Sequence, residues 1–413
     1  MHHVPQPALL TSESAAVTTL STETYRILDA AANRASEGLR VVEDYARFGL
    51  NDAHLSRLLK ECRHELAAAL RGISPAQRLA ARDTLGDVGT SIGTAAEYQR
   101  GSVEDVACAS FKRVQEALRT LEEFSKLIGD GDSRCGLHTP TRSVSEDDAA
   151  PASNIGTSLV DPPSLTLRVG VGTTSSAARR FEQLRYRLYT AEKAVLRTRF
   201  SRERLFDQRL YLLVTASACP AGCESVIRAA MAAGVTLLQM REKTLPDREL
   251  VAQARRLRAW TRDADALLVV NDRPDIAVLA EADGVHIGQD ELTVSEARRI
   301  VGPERLIGVS THTIEQARQA VLDGADYLGV GPTFPSGTKS FESFAGLEFI
   351  RQVAAEITLP WFAIGGIDAK NLATVLDAGA SRIAVSGAIL TATDPCAAAA
   401  ELLTNLPHIP LQI

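Results

Sequence analysis

GVGPTFPSGTKS, residues Gly329–Ser340, and AIGGI, residues Ala363–Ile367, are the stretches that decide the fold of this chain. Each contains a short apolar run that ends in glycine, and the first continues into a loop with hydroxyl side chains and one lysine. Such loops bind phosphate through backbone N–H groups, hydroxyls and an ammonium group. Their position late in an alternating strand and helix pattern predicts a barrel with a phosphate site at its mouth.

The region from Leu210 onward alternates short apolar runs with alanine-rich stretches that end in glycine, as helix C-termini do. Eight runs are strand candidates: YLLVT (from Tyr211), TLLQMRE (Thr236), LLVVND (Leu267), GVHIG (Gly284), LIGVS (Leu306), YLGVG (Tyr327), WFAIGG (Trp361) and RIAVSG (Arg382). Regular repetition of strand and helix predicts an α/β fold, a (β/α)8 TIM barrel over residues 207–413. A doubly wound open sheet is the alternative.

The part before the barrel, residues 21–205, has apolar residues at three- and four-residue spacing and is predicted to be an all-α domain. A segment at about 129–178 is rich in Ser, Thr, Asp, Pro and Gly and is predicted to be a disordered insert, like the N-terminus, 1–20. Helical pattern resumes at FEQLRYRLYTAEKAVL (Phe181–Leu196). We expect this helix to pack back on the first ones, so the insert interrupts the domain.

The helical half also contains an internal repeat. NRASEGLRVVEDYARF (Asn33–Phe48) aligns without gaps with KRVQEALRTLEEFSKL (Lys112–Leu127), which predicts two helices related by a pseudo-twofold axis. Each copy places a glutamate three residues before an arginine, a spacing that allows ion pairs: Glu37 with Arg40, and Glu116 with Arg119. Two interpretations stay open, a structural salt-bridge lattice or a polar pocket with RDTLGDVGTS (Arg82–Ser91) as an anion-binding loop.

Bulk properties exclude several classes of function. The formal net charge is −6 and no block of lysine or arginine is present, so no nucleic-acid partner is expected. Six cysteines in 413 residues do not make a disulfide framework, which favours a reduced, cytoplasmic protein. No signal peptide or membrane-spanning stretch is recognisable. Whether the chain forms a homo-oligomer stays open.

The second and third strands end in polar side chains. Gln239, Arg241 and Lys243 alternate along the chain, so we expect all three on one side of the strand, where they suit a diphosphate and a polar ring. A solvated strand exit is the alternative. Asn271 and Asp272 end the third strand.

An acidic pair follows the fourth strand, in GVHIGQDE. Asp272 together with either Asp290 or Glu291 would bind a hard divalent ion that also contacts diphosphate oxygens. His286, within the same stretch, is expected to be a buried core histidine, with a proton donor as the alternative.

The last four strands supply hydroxyls, a lysine and glycines. Glycine lets the backbone approach an anion closely, and a helix start adds N–H groups. The candidates are Ser310 after strand five, Ser336, Thr338 and Lys339 after strand six, Gly365 and Gly366 after strand seven, and Ser386 and Gly387 after strand eight. A metal-bound diphosphate on one side and a monophosphate on the other indicate a transferase that releases diphosphate.

These motifs resemble those of thiamine phosphate synthases over Tyr211–Leu402. The resemblance is carried by QMREK, VVND, DGVHIGQDE, LIGVSTHT, DYLGVGPTFPSGTK, AIGGI and the VSGAI end. It implies an enzyme that joins hydroxymethylpyrimidine diphosphate to a thiazole phosphate, with Mg²⁺ as cofactor. The implied chemistry is dissociative: diphosphate departs first and the thiazole nitrogen captures the pyrimidine cation.

The resemblance also implies roles for individual residues. The pyrimidine diphosphate would be held by Gln239, Arg241, Lys243 and Asn271. Magnesium would be bound by Asp272 and Glu291. The thiazole phosphate would lie near Ser336, Thr338, Lys339, Gly366, Ser386 and Gly387. Lys243, Ser310 and Lys339 are the implied catalytic residues. The family more often has Glu-Asp where this chain has Asp290-Glu291, so the second magnesium ligand stays open.

Two other functions are open for the barrel: a related thiazole tautomerase and a non-catalytic, ligand-sensing barrel. A tautomerase should not need the full set of groups for the pyrimidine diphosphate. The helical half resembles a domain fused ahead of some bacterial thiamine phosphate synthases. That resemblance implies either a pyrimidine phosphate kinase or a docking or oligomerisation module.

Overall fold

The computed structural model describes residues 20–92, 99–128, 176–335 and 344–409. In the helical half, the described helices are α1 (Thr22–Asp44), α2 (Ala53–Leu70), α3 (Pro75–Ala81), α4 (Val103–Ser125) and α5 (Ser176–Arg204). The predicted disordered segments lie almost wholly outside the described residues. One difference is visible at the end of the insert: residues 176–178 already belong to α5.

The two copies of the sequence repeat lie on α1 and α4, which are both 23 residues long. They cross closely at Gly38, where an added Cβ would lie 2.5 Å from Val114 Cγ2. Ser21 and Ser102 start the helices by accepting hydrogen bonds from Thr24 N and Asp105 N at 3.3 and 3.0 Å. The repeat is therefore a pair of packed helices.

The ion pairs expected within each repeat were assigned to the wrong glutamates. Arg40 lies 3.7 Å from Glu43 instead of pairing with Glu37, and Arg119 lies 2.6 Å from Glu122 instead of pairing with Glu116. Glu43 and Glu122 occupy equivalent positions and are almost fully buried, at 6% and 4% exposure. A buried carboxylate must be paired, so the arginines turn towards it.

A second arginine reaches each of these two buried glutamates from a neighbouring helix. Arg63 of α2 lies 2.7 Å from Glu43, and Arg185 of α5 lies 2.9 Å from Glu122. These contacts, with hydrophobic packing, hold α2 and α5 against the central pair. The repeated acidic position therefore organises the helical half.

The predicted barrel is confirmed. The strands are β1 (Leu210–Val214), β2 (Leu237–Met240), β3 (Leu267–Asn271), β4 (Gly284–Ile287), β5 (Leu306–Thr311), β6 (Tyr327–Val330), β7 (Trp361–Ile364) and β8 (Ile383–Val385). They are parallel and follow one another around a closed barrel. The open-sheet alternative is wrong because β1 pairs with β8, with Leu210 opposite Ile383.

Helices cover the outside of the barrel. They are α6 (Cys223–Ala232), α7 (Asp247–Asp263), α8 (Pro274–Leu279), α9 (Val294–Val301), α10 (Ile314–Asp323), α11 (Gly346–Glu356), α12 (Leu372–Asp377), α13 (Gly387–Leu390) and α14 (Pro395–Asn405). The barrel interior is a separate cluster that includes Tyr211, Tyr327 and Phe362. Side chains thus fill the barrel below its mouth.

The helical half docks on the end of the barrel where strands begin. Asp52 caps α2 and its second carboxylate oxygen accepts hydrogen bonds from Thr358 N and Oγ1, at 2.8 and 3.0 Å, just before β7. Arg197 of α5 lies 3.0 Å from Asp326, just before β6. The opposite face, where strands end, is therefore left for the site. No helix within the described ranges is long and apolar enough to cross a membrane.

Candidate active site

A cavity of about 490 Å³ opens at the carboxyl ends of the strands. Its lining includes cations, carboxylates, hydroxyls, imidazoles and glycines from successive strand ends. Of the predicted site residues, the structure brings together Arg241, Lys243, Asn271, Asp272, Glu291, Ser310, Gly365, Gly366, Ser386 and Gly387. Ser336, Thr338 and Lys339 lie outside the described residues.

Gln239 does not line this cavity. Strand β2 ends at Met240, and Arg241 and Lys243 follow it at the mouth of the barrel, where they line the cavity. The Gln239 side chain is 1% exposed and donates a hydrogen bond from Nε2 to Tyr211 Oη at 2.7 Å. Its Oε1 has no hydrogen-bond partner among the described residues. Gln239 thus belongs to the layer beneath the cavity floor.

Two carboxylates and a lysine form an acidic corner of the cavity. Burial, and then the charge of Glu291, raise the pKa of Asp272, while Lys243 lies 4.0 Å from its carboxylate. Asp272 adopts a left-handed backbone conformation with φ 61°, and its N–H donates to His286 O at 2.8 Å. A corner with two repelling carboxylates is a fitting place for a cation.

The two acidic candidates after β4, Asp290 and Glu291, differ in their position relative to the cavity. Both residues are exposed, but Glu291 lines the cavity and Asp290 does not. Gly288 makes room for this arrangement, because a Cβ there would overlap with Glu291 Oε2. The Glu291 side chain therefore reaches the cavity, and its role as a magnesium ligand remains a prediction.

The opposite rim consists of backbone. Gly365 and Gly366 have φ values of 103° and 64°, which side chains rarely adopt. A Cβ on Gly366 would lie 2.6 Å from Pro335 O, so the loop after β6 approaches this strand end closely. A Cβ on Gly387, at the start of α13, would meet no atom within 4 Å, which leaves open space above the backbone of Ser386 and Gly387.

His286 is a buried, fully hydrogen-bonded histidine at the floor of this cavity. Its Nε2 lies 3.0 Å from Ser310 Oγ and its Nδ1 lies 3.2 Å from Tyr327 Oη. Burial, and then the charge of Arg241, lower its pKa to about 4. The imidazole is therefore neutral at neutral pH, as expected for a core histidine.

We expect the stability of the protein to fall as the pH drops from 6.5 to about 4 because of His286. The unfolded state takes up a proton near the ordinary pKa of 6.5, whereas the folded state does so only near 4. The loss between pH 7 and pH 4 is on the order of 3 kcal/mol. Urea unfolding at both pH values measures it. The His286→Asn variant should show a flatter pH dependence, whereas exposed His64→Asn should follow the wild type.

Sequence reasoning missed several residues of this site. Tyr211 and Tyr327 lie beneath the cavity, and His312 and Asp368 line it. The sequence could have indicated the two tyrosines, because residues two apart on a strand point to the same side. Tyr211 lies two residues before Leu213, and Tyr327 lies two residues before Gly329. His312 lies within the quoted motif LIGVSTHT, and Asp368 directly follows AIGGI.

The fold and this cavity define a (β/α)8 barrel with a polar site at the carboxyl ends of its strands. The thiamine monophosphate synthase family (TMP-TENI) matches residues 210–389, and the ThiD2 family matches residues 26–136. A thiamine-phosphate synthase of Rhodopirellula baltica is 38% identical over 94% of this chain and 94% of that protein. One of Nostoc punctiforme is 38% identical over 93% and 95%.

A solved structure of a thiamine phosphate pyrophosphorylase from Pyrococcus furiosus is 36% identical to this chain. It covers 48% of this chain and 95% of that one, with a TM-score of 0.44. The curated relatives match both halves of the chain. The chain belongs to the thiamine-phosphate synthase family, with a ThiD2 domain ahead of the barrel, and is a transferase.

Proposed function

We propose that the barrel joins 4-amino-2-methyl-5-hydroxymethylpyrimidine diphosphate to a 4-methyl-5-(2-phosphoethyl)thiazole, carboxylated or not. The C–O bond to diphosphate breaks and a C–N bond to the thiazole nitrogen forms, which yields thiamine phosphate and diphosphate; a carboxylated thiazole also loses its carboxyl group as CO2. The observation that carries this proposal is a single cavity with two different anion-binding ends. One end offers side-chain charges from the loops after β2, β3 and β4, and the other offers glycine backbone after β7 and β8.

The charged end suits the departing diphosphate. Arg241 and Lys243 supply two positive charges and Asn271 supplies an amide at the same edge of the cavity. Fixed charges stabilise a leaving diphosphate most where the negative charge grows in the transition state. Lys243, implied to be catalytic, lies 4.0 Å from Asp272, so it can contact both a diphosphate oxygen and the acidic corner.

Asp272 and Glu291 fit a magnesium ion. Magnesium is usually bound by one or two carboxylates together with substrate phosphate oxygens, and the acidic corner supplies two. The ion would neutralise charge on the leaving diphosphate. The raised pKa of Asp272 supports this assignment, because burial, and then the charge of Glu291, disfavour its ionised form until a cation is shared between the two carboxylates.

Replacing Glu291 with glutamine is expected to raise the magnesium concentration needed for half-maximal activity by about tenfold or more, because a charged ligand is lost. Asp290→Asn removes the same charge one residue away, outside the cavity, and should shift it less than about twofold. Initial rates over a magnesium titration distinguish the two variants. A larger effect at Asp290 would transfer the ligand role to that residue.

The backbone end suits the phosphate of the thiazole. Gly366, Ser386 and Gly387 line the cavity, and a Cβ on Gly387 would meet no described atom within 4 Å. Backbone N–H groups at such a position bind phosphate oxygens. Contacts from Ser336, Thr338 and Lys339 remain predictions, as does the catalytic role of Lys339.

The direct test is formation of thiamine phosphate by the purified protein with magnesium and both substrates, measured by chromatography. We expect product and diphosphate in equal amounts. Absence of product would overturn the proposal. Conversion of the thiazole alone would favour a tautomerase, and binding without turnover would favour a ligand-sensing barrel.

For the helical half, we propose that residues 21–205 serve as a docking module. The N–H groups of Gly86 and Gly89, in the loop predicted to bind an anion, are occupied by Asp83 and Asp87 at 2.8 and 2.9 Å. Arg82 of the same loop contacts Asp29 at 2.7 Å. Consumption of ATP by the full chain with pyrimidine monophosphate would favour the kinase alternative. Light scattering would determine the oligomeric state.

The location is proposed to be the cytoplasm. The described cysteines are free thiols, which supports a reducing compartment. Fractionation of cells that produce the protein tests this.

A further inference from the structure

A chain of hydrogen bonds runs through the barrel interior to the cavity. It begins at Gln239 Nε2, which lies 2.7 Å from Tyr211 Oη, and continues over 2.8 Å to Tyr327 Oη. Tyr327 Oη lies 3.2 Å from His286 Nδ1, and His286 Nε2 lies 3.0 Å from Ser310 Oγ. Ser310 lines the cavity, so the chain connects a buried amide with a group that faces the cavity.

The donor and the acceptor of each hydrogen bond in this chain follow from the group at its start, because each hydroxyl has only one hydrogen to donate. Gln239 Nε2 can only donate, so Tyr211 Oη accepts and passes its own hydrogen to Tyr327. Tyr327 in turn donates its single hydrogen to His286 Nδ1. A neutral imidazole that accepts at Nδ1 carries its hydrogen on Nε2.

The end of the chain at Ser310 follows from this direction. His286 Nε2–H donates to Ser310 Oγ, whose own hydrogen is then left to point into the cavity. If the side-chain oxygen of Gln239 faced Tyr211 instead, donor and acceptor would be exchanged in every hydrogen bond of the chain. Ser310 would then donate to His286 and offer the cavity only lone pairs.

The packing around the chain holds its members in place. A Cβ on Gly308 would lie 2.4 Å from His286 Nδ1 and would overlap with Tyr327 Cζ, so only glycine leaves room for their contact. The Tyr211 and Tyr327 rings pack against Phe362, with ring centroids 5.2 and 5.7 Å away. Rings held in this way cannot turn to other partners.

We propose that Tyr211 and Tyr327 are positioning residues that hold His286 in its Nε2–H tautomer and thereby keep the Ser310 hydroxyl as a hydrogen-bond donor into the cavity. The role in turnover rests on the proposed function, in which a donor at Ser310 would stabilise an oxygen of the leaving diphosphate. The tautomer is a property of the protein alone and is tested separately.

The first experiment is ¹⁵N NMR of the full chain labelled at histidine. The His286 signals are identified by their absence in His286→Asn. We expect an Nε2–H tautomer with a hydrogen-bonded, unprotonated Nδ1, and a change at Nδ1 in Tyr327→Phe. Exposed Tyr186→Phe should leave these signals unchanged. An Nδ1–H tautomer in the wild type would overturn the proposal, because it requires the reversed chain.

The second experiment is a kinetic double-mutant cycle. Tyr327→Phe should lower kcat about tenfold, as loss of one buried hydrogen bond would, with KM for the thiazole phosphate changed less than about twofold. In the Ser310→Ala background the same change should have little further effect, because the two residues act through one contact. Full additivity would overturn the proposal. A wild type that forms no thiamine phosphate would overturn the proposed function, while the NMR result would still decide the tautomer.

Discussion

Lys243→Ala is expected to lower kcat/KM for thiamine phosphate formation by about 10³-fold, or about 4 kcal/mol of transition-state stabilisation. The lysine lines the cavity and lies 4.0 Å from Asp272. Its loss removes a positive charge from the diphosphate end and leaves the Asp272 and Glu291 carboxylates to repel the substrate. Both effects act on the growing negative charge of the leaving group. Steady-state rates with both substrates and saturating magnesium measure the change.

The matched control is Lys60→Ala, which removes a lysine from the exposed surface of the helical half and should leave kcat/KM within about twofold of the wild type. If Lys243→Ala retained turnover within about threefold, Lys243 would not face the diphosphate. Arg241 and Lys243 would then be solvated side chains at the end of β2 that do not bind the diphosphate. A tautomerase should also be nearly indifferent to this substitution.

Asp326→Ala is expected to lower the free energy of unfolding by about 3–5 kcal/mol. The Asp326 carboxylate is 0% exposed and lies 3.0 Å from Arg197 and 2.5 Å from Arg298. It also accepts hydrogen bonds from Ser201 Oγ at 3.1 Å and from Ile307 N at 2.8 Å. Removing it leaves Arg197 and Arg298 without their carboxylate partner and the Ile307 N–H without its acceptor. Because Arg197 and Ser201 belong to α5, the loss also weakens docking of the helical half.

Urea unfolding followed by tryptophan fluorescence reports on the barrel, because both tryptophans of the chain, Trp260 and Trp361, lie there. Asp323→Ala removes a nearby but exposed carboxylate and should change stability by less than about 0.5 kcal/mol. A loss below about 1 kcal/mol for Asp326→Ala would mean that its partners find water or other acceptors. The contact would then contribute little to holding the halves together.

The barrel could be predicted from the sequence because each of its strands is a short apolar run bounded by turn residues. Parallel strands bring their carboxyl ends to one face, so most polar residues at those ends were correctly expected to share a cavity. Lys243, Asp272 and Glu291 meet there although they follow different strands. Which of Asp290 and Glu291 faces the cavity required the loop geometry, since both are acidic and adjacent, and which of them binds magnesium remains a prediction.

The errors have a common physical origin. Gln239 was placed in the cavity with Arg241 and Lys243, but its side chain is buried beneath the cavity, where it contacts Tyr211. Glu37 was paired with Arg40 by helical spacing, but Arg40 turned to buried Glu43. The spacing of residues along a helix or strand indicates which side chains can contact each other. Burial then decides which of these contacts form, because an unpaired charge in the interior is costly.

The sequence by itself determined the order of strands and helices, the repeat in the helical half and the polar groups at the strand ends. These depend on periodicity and on neighbours along the chain. Only the tertiary structure decided the closure of β1 onto β8, the docking of α5 on Asp326 and the link from Gln239 to Ser310. Those contacts join residues far apart in sequence, and a hydrogen bond depends on distances of tenths of an ångström, which no sequence pattern specifies.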